Sequence, residues 1–423
     1  MTDREPLDLT AADLAGRIEH VFRAEHARVV ASLARRFGDL DIAEEATGEA
    51  LLLALEKWPV DGLPPNPGGW LTTTAGNKAI DRIRREGRRD DKHRQAVMES
   101  ERRGDHEPAT AEHTGAIVDD RLRLVFTCCH PALAPEARVG LTLRLVAGLT
   151  VPEIAGAFLV PETTLAQRLT RAKKKIKDAH IPYRVPEAED LPDRRTAVLA
   201  VVYLVFNEGY LATSASGEES APIRGELCAE AVRLGRLLRE LMPDDPEVMG
   251  LLALMLLIEA RRPARYVGGE LVSLDEQDRS LWDRSLVAEG HALVRECLGI
   301  GRPGHYQLLA AINAVHTDAA TAADTDWAQI ATLYDQLHAV TPSPVVALNR
   351  AVAIAELDGP AVGLAAVEPL ALTSYTPWHA TRADLLRRAG RLDEARAAYD
   401  AAIATSDNEP ERAWLRARRA KTS

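Results

Sequence analysis

Thr163, Thr164, Gln167 and Arg168 lie within six positions of one another, at the start of a short basic segment. Side chains of these types, on the first turns of a helix, reach base edges in the major groove. Gln makes a two-point contact with adenine and Arg with guanine. Arg171 and the Lys173-Lys174-Lys175 run follow, and suit phosphates, which supply affinity rather than sequence choice. From Glu162 to Lys177 six Lys and Arg stand against one acidic residue. The chemistry implied is recognition of nucleic acid, with no bond made or broken.

Such residues need a second helix to brace them. The stretch Leu149–Lys177, LTVPEIAGAFLVPETTLAQRLTRAKKKIK, supplies one. Thr150 is a good N-cap and Glu153 completes a capping box three residues on. Val151, Ile154, Ala155 and Phe158 form one apolar face. Pro161 ends that helix and suits the first turn of the next. In the second helix Leu165, Leu169, Ala172 and Ile176 make a buried stripe, with the polar residues opposite. The pattern predicts a helix-turn-helix, whose second helix enters the major groove. The alternative is a basic amphipathic helix on a solvated face.

The chain has 423 residues, room for two or three domains, and carries a net charge of −11. Ala, Leu and Arg are abundant and alternating β-branched runs scarce, so the expected class is all-α. No apolar run reaches membrane-spanning length, and MTDREPLD does not read as a signal peptide. Four cysteines in this length make no disulfide framework and point to a reducing cytoplasm. Residues 1–180 hold 27 basic and 28 acidic residues, leaving 25 against 35 in the remainder. A half with local basic patches joined to an acidic half fits this distribution.

Residues 10–94 read as a first domain. Ile18, Val21, Phe22, Val29, Leu33 and Phe37 carry its first apolar period, and Gly38-Asp39 breaks it. A helix then runs from Asp41 to Trp58, with Asp41, Glu45, Glu49 and Glu56 in one quadrant. That acidic stripe is either a solvated face or a docking surface for a basic partner. Residues 59–69, PVDGLPPNPGG, predict a loop that no helix crosses. The helix from Trp70 to Arg89 presents Asn77, Lys78, Arg82, Arg84, Arg85 and Arg88 on its polar side. These suit phosphate contact beside a loop able to hold an unpaired base, or else an ordinary surface helix. Residues 95–118 lack an apolar period and read as a linker. Residues 119–180 are the helix-turn-helix domain with its supporting helices, including Pro135 to Val146. Cys128, Cys129 and His130 invite a metal, but adjacent cysteines on a helix diverge by about 100° and no second cluster lies nearby, so burial is the expectation.

Together these segments resemble a known family. Asp41-Ile-Ala-Glu44-Glu45-Ala-Thr-Gly-Glu49, Trp70-Leu71, Asn77-Lys-Ala-Ile-Asp81-Arg-Ile-Arg84-Arg85 and the helix-turn-helix ending in Arg171-Ala172-Lys173 are similar to regions two and four of bacterial extracytoplasmic-function (ECF) sigma factors, over about residues 15–180. Phe126-Thr-Cys-Cys-His-Pro-Ala132 and the long C-terminal half resemble the subgroup with a tetratricopeptide-like extension. The resemblance implies an alternative sigma factor without catalysis or cofactor of its own. Asp41, Glu44, Glu45 and Glu49 would dock on the clamp helices of the largest subunit of core RNA polymerase. Asn77, Lys78, Arg84 and Arg85, with loop 59–69, would open and hold the −10 element. The second helix of the helix-turn-helix would read the −35 element. Gly48 stands where the family usually has Gln.

The acidic half opens after Pro182, Pro186 and Pro192 and is expected to hold a helical domain, 187–300, and helical repeats, 301–420. Arg194–Leu211 and Glu247–Arg261 are apolar enough to be buried helices, the latter central, and Asp278–Leu298 reads as a further helix. Gly268-Gly269 suits a short extended turn. Asn349–Gly359 and Arg382–Gly390 are similar and about 32 positions apart, and Ala389–Ala395 with Ala398 and Tyr399 resembles a tetratricopeptide turn and helix. Such arrays expose a groove for protein or peptide. Asn207-Glu208-Gly209-Tyr210, Arg261-Arg262, Arg265, Asp275-Glu276 and Asp278-Arg279 hold the half's concentrated charge, expected to pair internally. His291, His305, His316, His338 and His379 have no metal-ligand spacing. No nucleotide-binding glycine loop or nucleophile motif occurs. The competing reading is a dimeric helix-turn-helix repressor or activator with a helical sensor domain; an enzyme fused to a DNA-binding domain is a third.

Overall fold

A computed structural model gives the fold and describes residues 11–87, 114–158, 160–187, 189–212, 221–267, 270–406 and 409–422. Arg88, among the expected −10 residues, lies outside them, as does most of the 95–118 segment. The all-α class is correct: apart from one two-residue hairpin, the regular elements of the described residues are helical. The chain divides into two compact units, residues 1–204 and 205–423.

In the first unit, α1 (Ala11–Phe37), α2 (Leu40–Asp61) and α3 (Pro67–Gly87) pack on one another. Ile18, Val29, Val30 and Leu33 of α1 are buried with Ala43, Ala46, Ala50 and Trp58 of α2. Gly38, in the left-handed region, ends α1, and Asp39 caps α2 by accepting from the amides of Asp41 and Ile42. The expected 59–69 loop is shorter than the sequence indicates. Pro59 sits in the last turn of α2, where a lost N–H breaks one hydrogen bond only, and Pro67 opens α3, where its N–H would be unused. Asn66 caps α3 through the amide of Gly69, at 2.9 Å. Trp58 and Trp70 meet edge to face at 5.3 Å and seal the α2–α3 junction.

α4 (Thr114–Cys128) begins inside the expected linker. α5 (Pro135–Leu141) does not continue to Val146 as an α-helix. Thr142–Ala147 form a π turn, closed by Gly148 at φ +82°. A side chain at Gly148 would also place its Cβ 3.0 Å from the His26 ring, so both the turn and the approach of α1 require glycine. α6 (Val151–Ala157) and α7 (Glu162–Asp178) complete the unit, and α8 (Leu191–Ala212) contains the boundary between units.

In the second unit, α9 (Ala221–Leu241) leads to α10 (Pro246–Glu259), where every residue from Val248 to Leu257 is buried, as its uninterrupted apolar sequence demands. Gly250 lets the backbone of Gln307 approach to 2.5 Å of where a Cβ would stand. After the short α11 (Arg262–Arg265), strands β1 (Tyr266–Val267) and β2 (Glu270–Leu271) pair antiparallel; Gly268-Gly269, the expected turn, lies outside the described residues. The expected Asp278–Leu298 helix is split: Arg279–Leu281 is a 3-10 turn, and α12 (Arg284–Ile300) starts anew on the Asp283 cap. Then come α13 (His305–Asp318), α14 (Trp327–Val340), α15 (Pro344–Asp358), α16 (Pro360–Val367), α17 (Thr376–Arg388), α18 (Leu392–Thr405) and α19 (Glu409–Ala420). Neighbouring helices pack in succession, and Leu348, Leu364, Trp378, Leu386, Tyr399 and Leu415 share one core. Gly359 and Gly390, both at positive φ, follow α15 and α17.

Candidate nucleic-acid interface

The helix-turn-helix forms for local reasons. Thr150 and Glu153 make the expected capping box: the Thr150 amide donates to the Glu153 carboxylate at 2.6 Å, and the Glu153 amide donates back at 3.4 Å. Leu165, Leu169, Ala172 and Ile176 of α7 are buried, against α5 among others. Gly140 of α5 admits Leu169. That burial fixes the rotation of α7 and turns its other side outward. Thr163, Gln167, Arg168, Arg171, Lys174 and Lys175 are exposed and Thr164 half-buried. Arg171, Lys174 and Lys175 line a shallow basic depression at the C-terminal end of the helix.

Lys173 departs from this face. Its neighbour Ala172 belongs to the buried stripe, and its own side chain is 13% exposed and turned toward α2. The ammonium lies 2.8 Å from a Glu44 carboxylate oxygen and 2.5 Å from one of Asp41. Arg144, presented by the π turn, donates to the other Glu44 oxygen at 2.5 Å and to the Leu149 carbonyl at 2.9 Å. Lys177 reaches Asp39 at 3.4 Å. Burial alone pushes the Glu44 carboxyl up, but Lys173 and Arg144 outweigh it and hold the group below its ordinary range. Lys173 answers in kind: burial works against its charge, yet Glu44 and Asp41 raise its pKa.

A second set of contacts ties α1 to α4, to the π turn and to the segment of Tyr183. The Tyr183 hydroxyl lies 3.0 Å from the Ala31 carbonyl and 3.2 Å from that of Asp120, and burial raises its pKa well above the ordinary value. Arg35 of α1 pairs with buried Asp120 of α4 at 2.8 Å. His26 Nε2 lies 3.2 Å from the Arg144 carbonyl.

The four expected docking acids are therefore all in ion pairs. Asp41 and Glu44 face the helix-turn-helix, while Glu45 pairs with Arg82 and Glu49 with Lys78, at 3.5 Å, both on α3. Lys78 and Arg82, expected on the DNA side, thus join α3 to α2. Asn77, Arg84 and Arg85 are exposed. Cys128 and Cys129 are buried thiols; burial pushes both up, Cys129 to about 11. No set of three metal-capable side chains converges among the described residues, and no helix among them is long and apolar enough to cross a membrane. Sequence reading missed Arg144, Lys173 and Tyr183 as joining residues. A helical wheel places Lys173 at the edge of the buried stripe, but nothing local names its partner. It also missed Leu52, 63% exposed on α2 at the helical spacing of Glu45, Glu49 and Glu56.

Comparison with known proteins gives the class of this helical unit. Residues 21–89 match sigma-70 region 2 and residues 123–176 match sigma-70 region 4. The chain therefore carries the two sigma-70 domains that imply promoter recognition and binding to core RNA polymerase, domains of a non-enzymatic family. Residues 194–298 match a family of unknown function, DUF6596. The chain is also 42% identical over 404 residues to an uncharacterized protein of Rhizobium meliloti (strain 1021), covering 95% of both, and belongs to one family with it. No solved structure matches.

Proposed function

We propose that the protein is an ECF-type alternative sigma factor whose first unit rests in a closed form, and whose second unit is a tetratricopeptide-like regulatory domain. The observation that carries the closed form is the clasp of Glu44 by Lys173 and Arg144. In this reading Asp41, Glu44, Glu45 and Glu49, with the exposed Leu52 and Leu55, dock on the largest-subunit clamp helices of the polymerase. Asn77, Arg84, Arg85 and Arg88 hold the −10 element, while Lys78 and Arg82 brace α3 against α2. Thr163, Thr164, Gln167 and Arg168 read the −35 element, with Arg171, Lys174 and Lys175 on phosphates.

The two promoter elements lie about 25 base pairs apart, roughly 85 Å of B-DNA at ~3.4 Å per pair. A helix of 17 residues is only about 25 Å long. Region 2 and α7 cannot share a 2.8 Å ion pair and also sit on both elements. Promoter binding therefore requires the clasp to open, and polymerase competes with Lys173 and Arg144 for the α2 acids.

Run-off transcription with purified bacterial core polymerase, on the protein's own upstream region and on genomic fragments, tests the reading. Discrete promoter-dependent transcripts are expected. Absence of transcripts together with failure to co-elute with core would overturn it in favour of a conventional repressor. For the second unit, the repeat-like core of α15–α19 supports a groove for a protein or peptide that acts in cis on initiation. Removing residues 205–423 is expected to change transcription; an unchanged output would reject that role.

A further inference from the structure

The acidic second unit compensates its arginines well. From Arg233 on α9 to Arg419 on α19, most of those described sit within ion-pair distance of a carboxylate. Six described arginine side chains do not. Arg284, Arg295 and Arg302 are exposed, where water solvates them. The other three, Arg261, Arg265 and Arg279, are half-buried, and they are the three that stand together.

Their geometry is held from the protein side. Arg261, just past α10, donates to Asn313 Oδ1 at 2.8 Å, and its Nε is buried without a hydrogen-bond partner. Arg265 stacks 3.7 Å over the Tyr210 ring and donates to the Tyr210 carbonyl at 3.0 Å. Arg279 lies 4.7 Å over the Trp282 ring and donates to the carbonyls of His316 and Ala319, at 2.7 and 2.6 Å. The Asp283 amide, on the Ala260 carbonyl at 2.9 Å, pins the Arg279 segment to the end of α10. Burial lowers the pKa of Arg261, Tyr210 works against that fall, and Arg265 and Arg279 add to it; burial with Arg261 and Arg279 takes His316 down to about 4. The added proton finds no counter-charge there.

Helix ends offset part of this charge. Arg279 caps the C-terminus of α13, and a helix terminus supplies about half a unit of negative charge. Asp324 also acts on Arg279 from a distance. Most of the three positive charges remains in excess, in a unit that is otherwise acidic. Half-buried like charges are costly unless an anion joins them. Each fork keeps N–H donors beyond those already used.

We propose that Arg261, Arg265 and Arg279 form the receptor for a phosphate monoester on a small molecule. A carboxylate brings one charge. A phosphodiester, as in a nucleic-acid backbone, also brings one. A monoester brings nearly two at neutral pH and three equivalent oxygens, which matches three forks. Asn313 and the Tyr210 ring serve as positioning groups, fixing two of the guanidinium planes. The site belongs to the second unit alone and does not depend on the sigma reading, because its test needs no transcription.

The experiment is thermal unfolding of the full chain in sodium phosphate, in glycerol 3-phosphate and in sodium acetate, each against sodium chloride of equal ionic strength. Wild type is expected to gain Tm with rising phosphate and glycerol 3-phosphate, following ligand linkage, and not with acetate. Arg261→Gln should lose that response while its Tm in chloride stays level or rises, because one of three like charges is gone. Arg265→Lys, which keeps the charge but loses the planar fork, should need at least about tenfold more ligand. Equilibrium dialysis against labelled phosphate reads the same loss without heating. Equal responses in wild type and variants would mark a general salt effect and overturn the proposal. So would a wild type that does not respond, or an Arg261→Gln chain that falls in chloride yet still responds. If Arg261→Gln does not fold, Arg265→Lys decides alone.

Discussion

Lys173 of α7 and Glu44 of α2 lie 2.8 Å apart across 129 positions of sequence, each side chain nearly closed to solvent. A basic residue of α7, the proposed reading helix, thus pairs with an acid of α2, the proposed docking helix. Exposed ion pairs contribute little, but this one is mostly desolvated and shared with Arg144, so breaking it leaves charge without compensation. Lys173→Gln should free Asp41 and leave Glu44 to Arg144 alone, without altering the proposed docking face. The expected result is higher transcription at limiting core polymerase, with a loss of about 1–3 kcal/mol in stability from the charge left on Glu44. Titration of core in a run-off assay checks this. A uniform fall in transcription on every promoter would instead make Lys173 a phosphate contact.

The same clasp sets a pH dependence. Glu44 has its folded pKa below the ordinary 4.5. A depressed carboxylate stabilises the fold above its unfolded pKa, and that contribution is lost as pH falls through the folded value. The stability difference between wild type and Glu44→Gln should therefore be full above about pH 4.5 and shrink below it. Urea unfolding of both chains at pH 6, 5, 4 and 3.5 measures it. A difference that stays constant to pH 3.5 would show that Glu44 acts by packing, not by charge.

On the outer face of α7 two residues should behave differently. Arg168→Ala is expected to cost about 1–3 kcal/mol of promoter binding and to relax choice at one −35 position. Lys174→Ala should weaken all promoters alike and reduce the salt slope by about 1. Promoter competition across salt concentrations separates the two. Identical behaviour of both variants would remove Arg168 from the base-reading set.

How far the sequence foretold this depends on the range of each interaction. The capping box of Thr150 and Glu153 and the stripe Leu165-Leu169-Ala172-Ile176 are local, set by helix period and reach, and both are present. The burial of α10 follows from ten consecutive small and apolar residues. What escaped was of two kinds. Pro59 in the sequence predicts a stop, yet a proline in a last turn costs one hydrogen bond, which the packing of Trp58 offsets. Pairings across more than 50 positions, such as Arg144 with Glu44 or Arg261 with Asn313, carry no signature in the spacing of either partner. The charge clusters of the second unit were expected to pair internally. Arg262 does so with Glu259, but Arg261, Arg265 and Arg279 do not pair with carboxylates.

The cap itself offers a clean measure of the brace. Thr150→Ala removes the acceptor for the Glu153 amide and should cost about 1 kcal/mol. Because α6 only supports α7, promoter affinity should fall modestly on all sequences while the order of preference among them stays unchanged. Thermal unfolding with a −35 competition series reads both. A changed order of preference would place α6 itself against bases.

Leu52 tests the docking face most directly. It stands on the stripe of Glu45, Glu49 and Glu56, 63% exposed, with Leu55 47% exposed nearby. Apolar side chains left outside on an acidic stripe contribute nothing to the fold, so Leu52→Glu should leave stability within about 0.5 kcal/mol. If α2 docks on polymerase, burying Leu52 there is worth about 1–2 kcal/mol, and the added like charge beside Glu45 and Glu49 leaves the contact with a partner of basic chemistry otherwise intact. Core affinity should then fall by roughly tenfold, while binding of the isolated protein to −35 DNA is unchanged. Competition for core against the wild-type chain measures the first, and a mobility-shift assay the second. Equal competition by both chains would move the docking surface off this face of α2, and the clasp of Glu44 would then regulate access of α7 to DNA alone.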